Sequence, residues 1–313
     1  MVKELFQLFV FPGVLFLFVF GLSAEFIDRK LCARLQNRVG PPWFQPLADF
    51  IKLLAKEEVV PEEADVSVFK LMPVLALSAS ITAFLYIPLS AQSAIYSFNG
   101  DVIVVLYLLT MPTLAYFLGG WYSRSVYAMI GAVRSLNQLF AYEVPFFLAI
   151  LASALLANTW SLSGMAAFYS AHPGYWLFNL LGFAVALLSL LGKLEKVPFD
   201  IPEAETEIVA GVFTEYGARF LAFLRMSMNV EMAVGSSLLA AVFLPFGLRL
   251  GLAGGFILYL VKVFFIIALI SLARTAVARL RLDQMINLCW KFLAPLAFAQ
   301  VLLNLIIKGV IAR

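Results

Sequence analysis

Charge is what this sequence has least of: Asp, Glu, Lys and Arg make up 13% of its 313 residues against 63% apolar, and its mean hydropathy is +0.96. Soluble domains run near ~25% charged and ~45–50% apolar. So few polar side chains cannot cover a water-facing surface, and the bilayer must be the solvent. That excludes a free cytosolic enzyme, a secreted disulfide scaffold and a nucleic-acid binder. Cysteine is nearly as scarce. Cys32 and Cys289 stand far apart with no Cys-x-x-Cys pair, too few to hold an iron–sulfur cluster. The lone histidine, His172, lies in Ser-Ala-His-Pro-Gly with no second nitrogen or sulfur ligand near it, and reads as a loop residue. No Gly-rich phosphate loop, Ser/His/Asp set or haem motif occurs. The expectation is a chain with no catalytic residue, no metal site and no cofactor of its own, so that any redox chemistry belongs to a partner.

What is present is apolar runs. A spanning helix needs ~20 mostly apolar residues. About eight stretches qualify, near 5–24, 69–89, 102–121, 135–157, 176–194, 220–244, 254–273 and 292–311. Met1-Val2-Lys3-Glu4 precedes the first with neither a basic leader nor an Ala-x-Ala cleavage site, so that run reads as a true, tilted span. Long runs parted by Pro/Gly turns argue helices rather than a barrel, whose strands alternate over about ten residues. The fold class is therefore all-α, with residues 1–313 one integral membrane domain. No internal repeat is visible, which argues against a transporter built from inverted halves.

The loops differ sharply. Those after spans one, three, five and seven hold 16 of the 22 basic residues, whereas the opposite side holds only Lys3, Arg249, Lys308 and Arg313. The positive-inside rule puts the basic loops in the cytoplasm and both termini outside, in a multi-pass protein of the cell membrane. Fifteen of the 19 acids lie on the same side, eight in the first loop (residues 25–68) and six in the third (residues 193–219). A surface made only for anionic lipid would be basic. The mixture reads instead as a docking face for protein or an ion route, with solvation of polar loops as the simpler alternative.

Four charges remain within the spans: Glu143, Arg225, Glu231 and Lys262. A charge at mid-bilayer costs at least ~2.5–3.5 kcal/mol, so each needs a partner, water or a function. Glu143 precedes Pro145 by two residues, where a lost helix hydrogen bond frees a carbonyl. Glu231 lies 12 residues beyond Arg219, ~18 Å along a helix and close to the midplane. Arg225 is shallow enough to snorkel. Lys262 could pair with Glu143 or Glu231, the three lining one polar track. In the third loop, Asp200-Ile-Pro-Glu203 fits a capping box at a helix start. That leaves Glu205, Glu207 and Glu215 less well explained. Glu203 and Glu207 at i,i+4 would repel on one helix face, a setting that favours proton uptake.

At this loop the sequence resembles a family. Val-Pro-Phe-Asp-Ile-Pro-Glu-Ala-Glu-Thr-Glu, running on through residues 208–223, is similar to the signature loop of the H-type membrane subunit (subunit 1) of respiratory complex I and of related membrane-bound hydrogenases. Residues 24–41 with 44–57 resemble that family's first loop and its amphipathic helix. Residues 134–146 resemble its fourth-helix motif, and 279–298 its last loop and final helix entry. The resemblance implies an eight-helix subunit joining a peripheral redox arm to ion-translocating membrane subunits. It implies that Glu143, Glu203, Glu205, Glu207 and Arg134 belong to a polar funnel, and that Glu25, Arg29, Arg34 and Arg38 face the peripheral subunits. Asp200, Glu215, Glu231 and Lys262 are added to the ion route, and Arg279 and Arg281 to the docking face, on the readings above. Quinone-reducing members carry a Gly-rich insertion between the Arg-x-Gly-Pro and Gln-x-x-Ala-Asp elements, and Arg38–Asp49 is several residues shorter. The chain therefore looks closer to the ferredoxin-linked hydrogenase or sulfane-reductase branch, commonly archaeal. The implied partners are large and small hydrogenase-like peripheral subunits, antiporter-like and small membrane subunits, and ferredoxin acting through them. Iron–sulfur clusters, and a NiFe centre in the hydrogenase case, would sit in those partners. Protons or sodium would be moved. A quinone-pocket subunit of a complex I-type dehydrogenase, and a stand-alone channel or carrier, are the alternatives.

Overall fold

A computed structural model describes residues 2–89, 94–244, 246 and 251–311. Among them are only helices and connecting turns, and eight helical stretches are long and apolar enough to cross a membrane. The expected all-α, eight-span architecture is what the chain adopts. The first span is in two pieces, α1 (Val2–Phe9) and α2 (Val14–Leu35). Pro12 disfavours helix at Phe11 and cannot donate a hydrogen bond, which accounts for the break. Contrary to a span ending near residue 24, α2 continues through Glu25, Asp28, Arg29 and Arg34. Charge ends a hydrophobic run but does not end a helix. A short helix, α3 (Gln45–Leu54), follows. Its Phe50 packs edge-on against Phe18 of α2, ring centroids 5.0 Å apart, while Leu47, Ile51 and Leu54 stay exposed.

Next come α4 (Val66–Phe84), α5 (Asp101–Tyr122) and α6 (Val126–Ala157), the last a single 32-residue helix that runs through Pro145. Asp65 caps α4 by accepting from the backbone N–H groups of Ser67 and Val68. After α7 (Leu162–Ala171), α8 (Leu180–Lys193) leads into the acidic loop, where a four-residue helix α9 (Glu205–Ile208) forms. Then α10 (Ala218–Phe243), α11 (Gly251–Ala276), α12 (Leu282–Leu288) and α13 (Ala294–Ile311) complete the chain, a π turn joining the last two. Arg249 and Arg313, assigned above to the outer side, lie outside the described residues.

The least apolar of the eight spans is the most buried. Most of the α10 span lies inside the bundle, whereas most of the far more apolar α11 span faces outward. Lipid rewards apolar surface outside, and close packing rewards small residues inside. Accordingly Ser227, Ser236, Ser237, Ala222, Ala233 and Ala240 of α10 are enclosed, with α2, α4, α8 and α11 packed around them. Close packing also fixes the acidic loop. A Cβ on Gly131 of α6 would come within 2.6 Å of the Val212 backbone nitrogen, so only glycine lets that loop lie on α6.

Candidate functional site: a charged cavity over a buried ion pair

The end of α2, the acidic loop, and the inner ends of α10 and α11 meet around a cavity of about 400 Å³. Its wall carries Glu25, Asp28, Glu195, Asp200 and Glu203 against Arg29, Lys196, Arg225, Arg274 and Arg279, with Leu194, Val197 and Met228 between them. The charges are matched across elements. Asp28 of α2 takes Lys196 at 2.5 Å and Arg274 at 2.9 Å, and accepts from the Ser271 hydroxyl at 2.8 Å. Asp200 pairs with Arg279 at 3.1 Å and Glu203 with Arg225 at 3.0 Å. Glu25 is held by Arg29 and Asn229. Such pairs bring three sequence-distant segments to one end of the bundle.

Beneath the cavity lies a buried pair. Lys193 Nζ is 3.7 Å from Glu231 Oε1, both side chains at most 2% exposed. The ammonium also lies over the Tyr142 ring, 5.4 Å from its centroid. Half-buried Glu143 is within electrostatic reach of Lys193. Between pair and cavity stands Glu195, which accepts from Ser135 Oγ at 2.6 Å. Burial pushes its carboxyl up to about 8, the charges of Glu203 and Glu231 acting in the same direction and Ser135 and Lys193 against it.

Several expectations are corrected here. Lys262 pairs with neither Glu143 nor Glu231. Its ammonium donates to the Phe246 carbonyl at the far end of α10, so the three do not form one track. Glu231 has taken Lys193 instead. It also sits next to Met232, whose sulfur receives Lys196, and lies midway along α10. At the start of α10 Phe220, Ala222 and Leu224 are buried, while Arg219 pairs with Glu58 and Arg225 with Glu203. Asp200 caps no helix. Residues 201–203 form turns, and its carboxylate is engaged by Arg279. Glu203 and Glu207 do not repel on a shared face, because Glu203 precedes α9 and each has its own arginine.

The remaining expected residues are more dispersed. Glu207 meets Arg134 at 2.6 Å, and that arginine holds its carboxyl below the usual range. The Glu205 side chain lies outside the described residues. Glu215 is half-buried and forms no ion pair among the described residues. Arg34 and Arg38 are exposed, and Arg38 joins Arg29, Cys32 and Arg274 around an adjoining cavity of about 460 Å³. Arg281 starts α12, its backbone N–H donating to Gln284. Among the described residues no group of three His, Cys, Asp or Glu is placed to hold a metal ion. Residue reading counted Lys193, Lys196, Asp28 and Glu195 as loop charges and passed over Ser135 and Gln138. The spacing of those last two, three apart on α6, was the available signal.

These features define a polytopic membrane subunit with a charged, buried interior reaching one face. The profile of the NADH dehydrogenase family matches residues 7–305. The H subunit of NADH-quinone oxidoreductase from Carboxydothermus hydrogenoformans is 32% identical over 306 residues, covering 93% of this chain and 86% of its own. The second H subunit of that enzyme from Geobacter sulfurreducens is 37% identical over 318 residues, covering 95% and 94%. Among solved structures, a chain of the membrane-bound sulfane sulfur reductase, an archaeal respiratory membrane complex, superposes with a TM-score of 0.86 at 27% identity, covering 97% of this chain and all of that one. The chain belongs to this NADH dehydrogenase family of H-type subunits, multi-pass membrane components of redox-driven complexes.

Proposed function

We propose that this chain is the coupling subunit that joins a peripheral redox arm to ion movement in the membrane. The observation that carries the reading is the cavity wall of five acids and five bases, with the Lys193–Glu231 pair buried beneath it. Pockets for apolar cofactors are mostly apolar with few polar groups. A wall so densely charged suits water and mobile protons better than a quinone ring. The arm would dock on the face formed by Glu25, Arg29, Arg34, Arg38, Arg279 and Arg281, which the positive-inside rule assigns to the cytoplasm. Its subunits would carry the iron–sulfur clusters and receive electrons from ferredoxin. A change of charge at the acidic loop would then pass through Glu203 and the buried pair toward Glu143 and the antiporter-like subunits, moving protons or sodium. The likeness to the sulfane sulfur reductase chain supports the quinone-free version.

One observation favours a second reading, a quinone-site subunit. A cavity of about 380 Å³ between α2, α3 and α10 has Leu22, Phe50, Leu53 and Met226 in its wall and shares Glu25, Arg29, Arg225 and Asn229 with the charged one. The purified complex separates the two. Ferredoxin-driven formation of hydrogen or sulfide without quinone is expected, and inhibitor-sensitive quinone reduction would favour the alternative.

A further inference from the structure

The turn from Gly192 to Phe199 is clamped at both ends, because Gln138 Nε2 donates to the Gly192 carbonyl at 2.6 Å and the Phe199 carbonyl at 2.8 Å. Between the clamps Glu195 takes φ +49°, the left-handed region that a side chain normally avoids. Such strain persists where the surroundings impose it, and it gathers at functional positions. Here it accompanies an inward-turned carboxyl. Glu195 is 3% exposed, and one oxygen accepts from Ser135. The other is buried without a hydrogen-bond partner among the described residues. The residue borders the cavity on one side. On the other, two residues along the chain, lies the Lys193–Glu231 pair.

Charge balance restricts what these groups can hold. A buried ammonium is matched by one carboxylate, and a second buried carboxylate beside it adds an unmatched charge. Glu195 and Glu231 are two buried carboxyls, and both act electrostatically on the single ammonium of Lys193. Of the other groups facing them, Tyr142 lies beneath that ammonium and Tyr116 of α5 is bonded to Ser227 of α10. Glu143 faces Lys193 from α6, and Glu203 and Lys196 lie on the cavity side.

We propose that Glu195 and Glu231 share one proton across Lys193, and that Glu195 exchanges it with the cavity. The inference rests on the coupling role proposed above and names its entry residue. In the step, the proton leaves the Glu195 carboxyl and arrives on the Glu231 carboxylate. Glu195 becomes the carboxylate and takes over Lys193 as counter-ion. Nothing is oxidised or reduced, and the cluster keeps its net charge. A proton from cavity water then restores Glu195, and the added positive charge drives one proton on toward Glu143. Ser135 is a positioning residue, because its hydroxyl favours the charged form of Glu195.

The test uses the intact purified complex in sealed vesicles and reads ions moved per electron, the pH profile of that ratio and the protonated-carboxyl infrared band. In Glu195→Gln the ratio is expected to fall at least about tenfold with electron transfer retained, and a titrating carboxyl band to vanish that Glu203→Gln keeps. Ser135→Ala retains both carboxyls, and its profile is expected to move to alkaline pH. A wild-type ratio in Glu195→Gln together with an unshifted profile in Ser135→Ala overturns the relay. If Glu195→Gln does not assemble, the Ser135→Ala profile decides alone, shifted for the relay or unshifted against it. A wild-type complex that moves no ions contradicts the coupling role, and the infrared band then still decides for or against the shared proton.

Discussion

Removing the Lys193 ammonium would leave the Glu231 carboxylate enclosed without a counter-ion. Breaking a buried pair from one side costs about 3–5 kcal/mol, whereas replacing both partners by apolar groups of similar volume is often neutral. Lys193→Met is therefore expected to lower the thermal midpoint of the purified complex markedly, and Lys193→Met with Glu231→Leu to recover most of the loss. Glu195 adds a pH dependence of definite sign. Its folded value of about 8 lies above the ordinary 4.5, so between those values the folded chain binds a proton that the unfolded chain releases. Its contribution to stability is fully present below 4.5 and lost as pH rises through about 8. Melting measured across that range should fall with pH in the wild type and fall less in Glu195→Gln. At this scale the sequence exposed which residues were out of place, Glu143 and Glu231 among them, but not their partners. Lys193 looked like the first residue of a loop, because hydropathy says nothing about a loop folding back under a helix bundle.

Between residues and bundle, α6 does the organising. Ser135 and Gln138 hold the turn after α8, Arg134 takes Glu207 of α9, and Gly131 leaves room for the loop at Gly211–Val212. Gln138→Ala would leave the Phe199 carbonyl without its donor, at about 1–3 kcal/mol for a buried group left unmet, and the Gly192 carbonyl with the Glu195 N–H alone. The expected result is faster amide hydrogen exchange in residues 192–204, with exchange in the α4–α5 pair unchanged. The spans were legible, since each announces itself by an apolar run, whereas the short helices α7 and α12, which carry no such run, were not. Helix ends were not. α2 runs 11 residues past the expected end at residue 24, and α6 begins nine before residue 135, because both continue through charged turns. The capping-box pattern at Asp200 failed for a related reason. Its carboxylate satisfies the capping pattern equally well as a partner for Arg279, and the tertiary ion pair prevailed.

Across the whole molecule polarity is sorted by side and by depth. The two most apolar spans, through α2 and α11, are largely exposed to lipid, the central α10 is the least apolar, and the ion pairs join α2, the acidic loop and α11 at one end. That sorting is why the scarcity of charge was so informative in the sequence. The few charges retained are concentrated on one face, where they cross-link segments far apart in the chain and surround a cavity above a buried pair. The central claim is that this arrangement couples redox work in a docked arm to ion movement. The most direct measurement is ions moved per electron by the reconstituted complex carrying Glu231→Gln, set against the wild type. Electron transfer that continues while the ratio falls toward zero is the predicted result, and a ratio equal to that of the wild type would contradict the account.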